Sequence, residues 1–432
     1  MKNKSTTLLI AVLAVIAGVL GYNYFKQPLL KRFQQQQTET DVAQEEKTPE
    51  ISFSANQKIS QLMAYPLVVE DQLQPTAAST VSAQITSTAS SIPVDQQAWD
   101  ELRAFNPGIV TIFGGNISTS SARLVSDQLK TAFAQSEFRP LLAVDHEGGT
   151  VPRLSGEGFS QLPAFREMCQ ADQGEVEEAF TESARELSQI GVHIVFAPMV
   201  DLAANHPVFG SRVCSDHEQA SRTAEFFIRA FAQYSIMPVL KHFPGIGNAA
   251  RDLHNYPQTI QIDPLDANIF RDLLDKYPNI GIMTSHVRLQ DKLNGKPCSL
   301  SEQCLEPLGK FYPEATVFAD ALDMESAQIS EAQLKSGSAT DSAELSATES
   351  AQPVAETQAS SEDQDLDQLA LRAEQALRAG NHFLVFGRSV SAQQLAAVRD
   401  RLVELYHSDS GFKSVVDQRF QRVLDLKAAD DN

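Results

Sequence analysis

Eight short runs of apolar residues recur along the chain, at 61–68, 109–113, 141–145, 194–198, 238–243, 281–286, 316–320 and 382–386. Most are continuously apolar, as parallel strands buried on both faces must be. Between several of them lie longer stretches with apolar residues at helical spacing: "SARLVSDQLKTAFAQ", "EVEEAFTESARELSQI" and "ASRTAEFFIRAFAQY". Strands alternating with helices predict an α/β fold, and eight of them predict a (β/α)8 barrel of the TIM type. A doubly wound open sheet is the alternative that the same alternation allows.

Polar stretches interrupt this pattern. "QQQQTETDVAQEEKTPE" reads as a linker; "QPTAASTVSAQITSTASSIP" and the Ala-, Ser-, Glu- and Gln-rich stretch from 326 to 365 read as insertions. Neither insertion carries enough apolar surface to fold alone. Ahead of the linker, "STTLLIAVLAVIAGVLGYNYF" holds no charge between Lys4 and Lys26. As a helix it spans roughly 31 Å, the thickness of a bilayer core. Its position and its leading Lys2 and Lys4 favour an uncleaved export signal that anchors the chain over a buried helix. The organisation is therefore a signal anchor at 1–26, a polar linker at 27–50, and one catalytic domain at 51–428 with insertions at about 71–96 and 326–365. The expected location is outside the cytoplasm, tethered to the membrane.

Charge narrows the partners. A net charge of −20 argues against nucleic acid, whose phosphates need clustered Lys and Arg. Four cysteines, Cys169, Cys214, Cys298 and Cys304, form no C-x-x-C pair, so a zinc ribbon or redox motif is disfavoured. Two disulfides and four free thiols both stay open, with Cys298 and Cys304 the nearest pair in sequence.

The ends of the runs carry chemistry. The third ends in Asp145, the fifth in Lys241 and His242, the sixth in His286 and the seventh in Asp320. In a barrel, C-terminal strand ends form the active face. Four such ends point to a polar site there. "AVDHEGGTVPRL" adds Arg153, which with Asp145 suits a polyhydroxylated ligand or makes a structural ion pair. "VLKHFPGIGNAARDLHNYP" adds Asp252 and His254, two residues apart on a loop whose Gly245 and Gly247 predict mobility.

These motifs resemble glycoside hydrolase family 3, in its single-domain β-N-acetylglucosaminidase type. The pattern D-[HQ]-E-G-G-x-V-x-R matches Asp145 to Arg153, "FAPMVDLAANHPVFGSR" resembles the segment with a sugar-binding arginine, and "KHFPGxG…D-x-H" matches Lys241 to His254. "VFADALDM" resembles the nucleophile segment. The resemblance spans roughly 51–428, insertions excepted. It implies Asp320 as nucleophile and His254 as general acid/base, oriented by Asp252. It also implies Asp145, Arg153, Arg212, Lys241 and His242 as residues that hold the sugar, with His286 lining the pocket. Ile246 and Leu253 stand where histidine and serine are usual, and Ala319 and Ala321 flank Asp320 in place of Ser and Asp.

The chemistry is coherent. A retaining glycosidase needs a nucleophile and a proton donor on opposite sides of the anomeric carbon. Histidine can serve as donor because an unperturbed imidazole titrates at ~6.5. The reading is exo-acting, retaining hydrolysis of terminal β-linked N-acetylglucosamine, with peptidoglycan fragments implied as substrate by the resemblance. No metal or cofactor is implied. The family's second α/β-sandwich domain is not expected in the chain that follows the eighth run. A phosphorylase and an inactive sugar-binding barrel are the alternatives.

Overall fold

The computed structural model describes residues 52–69, 94–203, 206, 209–290, 295–330, 333 and 361–430. The chain divides into two compact units, Met1–Phe53 and Ser54–Asn432. Of the first only residues 52 and 53 are described, so the expected anchor and linker lie outside the described residues. So do most of the two expected insertions. No helix among the described residues is long and apolar enough to cross a membrane.

The second unit is an eight-stranded parallel barrel. Its strands are β1 (Ala64–Val68), β2 (Ile109–Phe113), β3 (Leu141–Val144), β4 (Ile194–Val195), β5 (Met237–Phe243), β6 (Gly281–Thr284), β7 (Thr316–Ala319) and β8 (Phe383–Leu384). All pair in chain order and in parallel, from β1 through to β8. A parallel bridge between Met63 and Leu384, with the Leu384 N–H donating to the Leu62 carbonyl at 2.9 Å, joins the last strand back to the first. A doubly wound sheet would reverse its strand order midway. This one does not, so the open-sheet alternative is excluded.

Helices follow the pattern read from sequence. α1 (Ala55–Gln61) precedes β1, and α2 (Gln96–Phe105), α3 (Thr119–Ala132), α4 (Gln173–Ile190), α5 (His217–Ala232), α6 (Pro264–Lys276), α7 (Glu302–Phe311) and α8 (Ser361–Ala379) connect successive strands. α9 (Ala392–Ser408) and α10 (Ser410–Asp430) follow β8. Helix α5 shows why they form. Asp216 caps it by accepting from the Gln219 N–H, and Ala220, Ala224, Phe227, Ile228 and Phe231 bury one face. Phe227 meets Phe180 of α4 edge-on at 5.0 Å between ring centroids. Helix α4 ends where Gly191 adopts φ +83°, a left-handed cap that suits glycine.

Three fully buried phenylalanines fill the barrel. Phe318 of β7 meets Phe196, just past β4, at 5.7 Å and stacks on Phe383 of β8 at 5.2 Å. β4 and β7 are not neighbours, so the Phe196–Phe318 contact crosses the interior. Each such ring contributes about 1.5–3 kcal/mol by burial. Gly281 makes room for it: a Cβ there would lie 3.0 Å from the Phe318 ring and 2.7 Å from Val239. Side chains alternate along a strand, so Asp320, two residues past Phe318, continues the same inward row at the barrel mouth.

The structure draws the insertions tighter than the sequence suggested. Val94 is buried and Asp95 caps α2. Ser326, Ala327 and Ile329 are buried, and α8 begins at Ser361. These ends sit under folded elements, where composition alone showed only polarity.

All four cysteines are paired: Cys169 with Cys214 at a Cα separation of 6.0 Å, and Cys298 with Cys304 at 5.3 Å. The first pair closes 45 residues and the second only 6. Loop-closure entropy predicts on the order of 4 kcal/mol for the long loop and about 2 kcal/mol for the short one. Urea unfolding of the two double-alanine variants is expected to preserve that ranking. Equal stability of the Cys169→Ala/Cys214→Ala protein and the native one would show that the long pair does not form.

Candidate active site

The chemistry-bearing residues collect at the C-terminal ends of the strands. Asp145 follows β3 directly, Lys241 and His242 lie in the last turns of β5, His286 follows β6 and Asp320 follows β7. The β5–β6 register shifts between Lys241 and Phe243, so His242 is an extra residue in that strand. A bulge re-aims side chains that a regular strand would send to opposite faces. Here both Lys241 and His242 reach carboxylates of the mouth. The Lys241–His242 and Phe243–Pro244 peptide bonds are cis.

A buried ion network forms one wall. Glu147, 2% exposed at its side chain, accepts from Arg212 Nε at 2.7 Å and Nη2 at 2.8 Å. Lys241 Nζ lies 2.6 Å from Glu147 and 3.1 Å from Asp145. Arg153 Nη2 lies 3.6 Å from Asp145, its guanidinium 5.9 Å from the Phe113 ring centroid. Burial works to raise the Glu147 carboxyl, but the charges and hydrogen bonds of Arg212 and Lys241 overcome it and hold it well below the usual range. Burial likewise works to lower Lys241 and Arg212, and the carboxylates of Glu147 and Asp145 outweigh it and raise both. Arg212 arrives on a loop tied down at Cys214 and by Arg166, whose Nη1 donates to the Gly210 carbonyl at 3.1 Å.

A second pair of carboxylates fixes the base of the next wall. Fully buried Asp201 accepts from the His242 N–H and Nδ1, both at 3.0 Å, and from the Ile246 N–H at 2.8 Å. A carboxylate only accepts, so His242 donates through Nδ1 and keeps Nε2 for the mouth. Asp266, in the first turn of α6, accepts from the Leu202 N–H at 2.7 Å and the Gly247 N–H at 3.1 Å. Burial, then the charge of Asp201, pushes the Asp266 carboxyl up to about 7.

Asp320 stands in the centre. Its Oδ1 accepts from the Ala321 N–H at 2.8 Å, and its own N–H donates to the Thr284 carbonyl at 3.1 Å. Burial works to raise its carboxyl, but His242, then His286 and His254, pull it below its ordinary value. His286 is fully buried, with Nδ1 2.6 Å from the Ser299 hydroxyl and Nε2 3.0 Å from the Ala321 carbonyl. The carbonyl only accepts, so Nε2 donates, while Nδ1 shares a hydrogen bond with the Ser299 hydroxyl; burial lowers the imidazole below its ordinary value. Both ring nitrogens are thus engaged, and the ring braces the backbone beside Asp320.

His254 stands on the rim, its side chain 69% exposed. Its Nδ1 donates to Asp252 Oδ1 at 2.7 Å, and its N–H donates to the same oxygen at 2.9 Å. Burial works to raise Asp252, but the hydrogen bonds and charge of His254, and the more distant charge of Arg212, hold it low. Nε2 is left free as the nitrogen that can carry a proton to a ligand.

Eight of the nine residues expected from sequence lie around one mouth, while His286, expected to line the pocket, is fully buried behind Asp320 with both ring nitrogens engaged. Gly245 and Gly247 behave otherwise than expected. A Cβ on Gly245 would fall 2.5 Å from Asp266 Cβ, and one on Gly247 2.5 Å from the Leu202 carbonyl. They are sites of close backbone approach, pinned by Asp266, and not swivels. The loop is held at the far end too, where the Glu325 N–H donates to the His254 carbonyl at 3.2 Å. Sequence reasoning missed Glu147, Asp201 and Asp266. Glu147 lies inside the run "DHEGG" and Asp201 at the end of "FAPMVD", so each had a signal in its place after an apolar run. Asp266 had none, since an acid in a helix's first turn is ordinarily solvated.

Glu147→Gln keeps the shape of the network and deletes its shared countercharge. Leaving Lys241 and Arg212 buried without it is expected to cost about 3–5 kcal/mol. The Glu147 carboxyl is depressed in the fold, so its stabilisation is complete above its unfolded value of about 4.3 and fades as pH falls below that. Urea unfolding should therefore show a gap between native and variant that is widest above about pH 4.5 and narrows in acid. A gap independent of pH would show that Glu147 is not the carboxylate the network titrates on.

Comparison with known proteins gives the family. The model of the glycosyl hydrolase family 3 N-terminal domain matches residues 54–345. The chain is 32% identical over 249 residues to a β-hexosaminidase of Tolumonas auensis, covering 55% of this chain and 73% of the relative. It is 31% identical over 177 residues to the β-hexosaminidase LpqI of Mycobacterium tuberculosis, covering 39% and 45%. Its fold is similar to the crystal structure of a β-N-acetylhexosaminidase from Beutenbergia cavernae, with TM-score 0.65 and 22% identity over 87% of this chain and 99% of that one. The family match over most of the barrel, together with a site assembled from the family's motifs, shows that the chain belongs to glycoside hydrolase family 3, in its β-N-acetylhexosaminidase type.

Proposed function

We propose that the protein removes terminal β-linked N-acetylglucosamine by retaining, exo-acting hydrolysis through a covalent glycosyl–Asp320 intermediate. The observation that carries this reading is the Asp252–His254 pair, whose Nε2 is left free at the rim of a mouth in which the Asp320 carboxyl is pulled below its ordinary value. Asp320 attacks the anomeric carbon as His254 Nε2 gives its proton to the leaving oxygen. His254 then takes a proton from water, which attacks the same carbon and frees Asp320. Asp252 keeps the imidazole in the tautomer that leaves Nε2 working, and stabilises the imidazolium. Asp145 accepts from sugar hydroxyls while Arg153, Lys241 and His242 Nε2 donate to them.

Peptidoglycan fragments are the proposed substrate, on the family resemblance. The apolar segment near the N-terminus supports an exported protein tethered to the membrane, where such fragments arise. Phosphorolysis is a second reading, because histidine as acid/base does not repel phosphate as a carboxylate would. Product analysis with and without phosphate separates the two.

An activated 5-fluoro N-acetylglucosaminyl donor is expected to leave sugar on the peptide containing Asp320, seen by mass spectrometry. Sugar elsewhere, or none despite turnover, would favour attack by the substrate's own acetamido group.

His254→Ala is expected to slow hydrolysis of a disaccharide by about 10²–10⁴-fold. Glycosylation by a dinitrophenyl glycoside, whose leaving group needs no proton, should slow far less. His242→Ala should harm both substrates alike. Equal losses on both for His254→Ala would place the proton donor elsewhere.

A further inference from the structure

Where α8 packs on the barrel wall behind Asp320, four polar side chains are fully buried: Thr284, His286, Ser299 and Asn381. They come from three parts of the chain. Thr284 ends β6 and His286 follows it, Ser299 sits in a short 3₁₀ turn (Cys298–Leu300) ahead of α7, and Asn381 lies between α8 and β8. Their hydrogen bonds close a circuit. The Thr284 hydroxyl donates to Asn381 Oδ1 at 2.8 Å, and Asn381 Nδ2 donates to the Ser299 carbonyl at 2.8 Å. The Ser299 hydroxyl lies 2.6 Å from His286 Nδ1, and His286 Nε2 donates to the Ala321 carbonyl at 3.0 Å. The Asp320 N–H donates to the Thr284 carbonyl at 3.1 Å and completes the ring.

The ring is fastened from outside. Asn381 Nδ2 also donates to the Ala376 carbonyl of α8 at 2.7 Å. The Ser299 N–H donates to the Ser285 carbonyl at 2.9 Å, and the Cys298–Cys304 disulfide ties the same turn to the first turn of α7. Burying a hydroxyl and an amide costs free energy unless each is hydrogen-bonded, and apolar side chains would fill the space without that requirement. What the ring adds over an apolar layer is direction. It holds the Asp320 N–H and the Ala321 carbonyl from one framework, with the Ala321 N–H between them donating to Asp320 Oδ1 at 2.8 Å.

We propose that Ser299, Asn381 and the Thr284 hydroxyl are positioning residues for Asp320, acting as one closed circuit that orients the Asp320–Ala321 peptide. The proposal rests on Asp320 as nucleophile. With the Ala321 N–H held on Oδ1, Oδ2 is left as the attacking oxygen. Asp320 attacks in one step and departs in the next, and a displacement of about 1 Å in such a group costs about 10²-fold in rate. Ala319 and Ala321 have no polar side chain to orient it. Orientation therefore falls to main chain, and this ring is what holds that main chain. The three side chains are buried behind Asp320, so they act through its backbone and not on the sugar.

Two substitutions open the ring at opposite points. Ser299→Ala removes the hydroxyl beside His286, and Thr284→Val removes the donor to Asn381 while keeping the shape of the side chain. Each is expected to lower kcat on an aryl β-N-acetylglucosaminide by about 10–100-fold with KM held, measured on folded protein below its unfolding transition. Ser299→Thr, which keeps a hydroxyl, should recover most of the loss. Because either change opens the same circuit, the double variant should lose little more than the worse single one. A readout free of turnover is the titration of the Asp320 carboxyl, followed by carbon NMR in aspartate-labelled protein and assigned with Asp320→Asn. An amide N–H favours the carboxylate, so loosening the Ala321 N–H should raise this carboxyl in Ser299→Ala and Thr284→Val by up to about one unit, the worth of one hydrogen bond to a charge. The other groups that act on it, His242, His286 and His254, are present in every variant. A carboxyl that titrates alike in native and variant proteins, or single losses that multiply in the double variant, overturns the proposal. A carboxyl that shifts as expected in a protein without hydrolase turnover would leave the circuit standing and remove the hydrolase reading.

Discussion

The buried carboxylate of Glu147 sets the geometry of the mouth. A charge that deep cannot stand alone, and two cations converge on it: Arg212 through two hydrogen bonds and Lys241 through one. They come from different parts of the chain. Arg212 comes from the loop after β4, which the disulfide at Cys214 restrains, and Lys241 from the bulged end of β5. Lys241 also reaches Asp145, so the ends of β3 and β5 and the loop between them are tied through one set of charges. Interior dielectric makes each pair strong and makes the loss of any partner costly. Asp145, Arg212 and Lys241 are therefore held in place by one another.

Asp201 and Asp266 perform the same service for backbone. Between them they accept from the N–H groups of Leu202, His242, Ile246 and Gly247 and from the His242 ring. Burial first, and then the nearby charge of Asp201, pushes Asp266 upward. The consequence is a rigid root for the loop that carries His254. The close approach of Gly245 and Gly247 to Asp266 and Leu202 leaves no space for a larger residue there. Preorganisation of this kind lets an exposed imidazole stand in a defined place, held by Asp252 through Nδ1 and its N–H, while Nε2 stays free.

Asp320 illustrates how a barrel separates stability from chemistry. Two residues before it, Phe318 fills the interior; at Asp320 the same row of side chains ends in a carboxyl that feels the charge of three histidines. The substituted neighbours Ala319 and Ala321 leave its anchoring to backbone groups, the Ala321 N–H and the Thr284 carbonyl. His286 braces that backbone through the Ala321 carbonyl. Asp320 is thus positioned by main chain and imidazole, whatever side chains flank it.

The fold and most of the site were legible in the chain alone. Apolar runs spaced by helical patterns determined the eight strands, because parallel strands buried on both faces tolerate little else. Charged residues at the ends of those runs determined where chemistry would gather. The motif spacing from Lys241 to His254 marked the loop that carries the Asp252–His254 pair. What sequence could not decide was who pairs with whom. Glu147 and Asp201 sat in plain view and drew no role, because a buried carboxylate is distinguished only by the cations and N–H groups that close on it from other strands. Asp266 looked like a solvated acid in a helix's first turn until tertiary packing placed it against Leu202 and Gly247. Gly245 and Gly247 read as hinges because glycine's freedom is local, while their actual constraint is the distant Asp266 side chain. Closure of the barrel through Met63 and Leu384, and the pairing of Cys169 with Cys214, were decided the same way. Local pattern encodes an element and its exposed face, but pairing across the chain depends on distances that exist only once the backbone has folded.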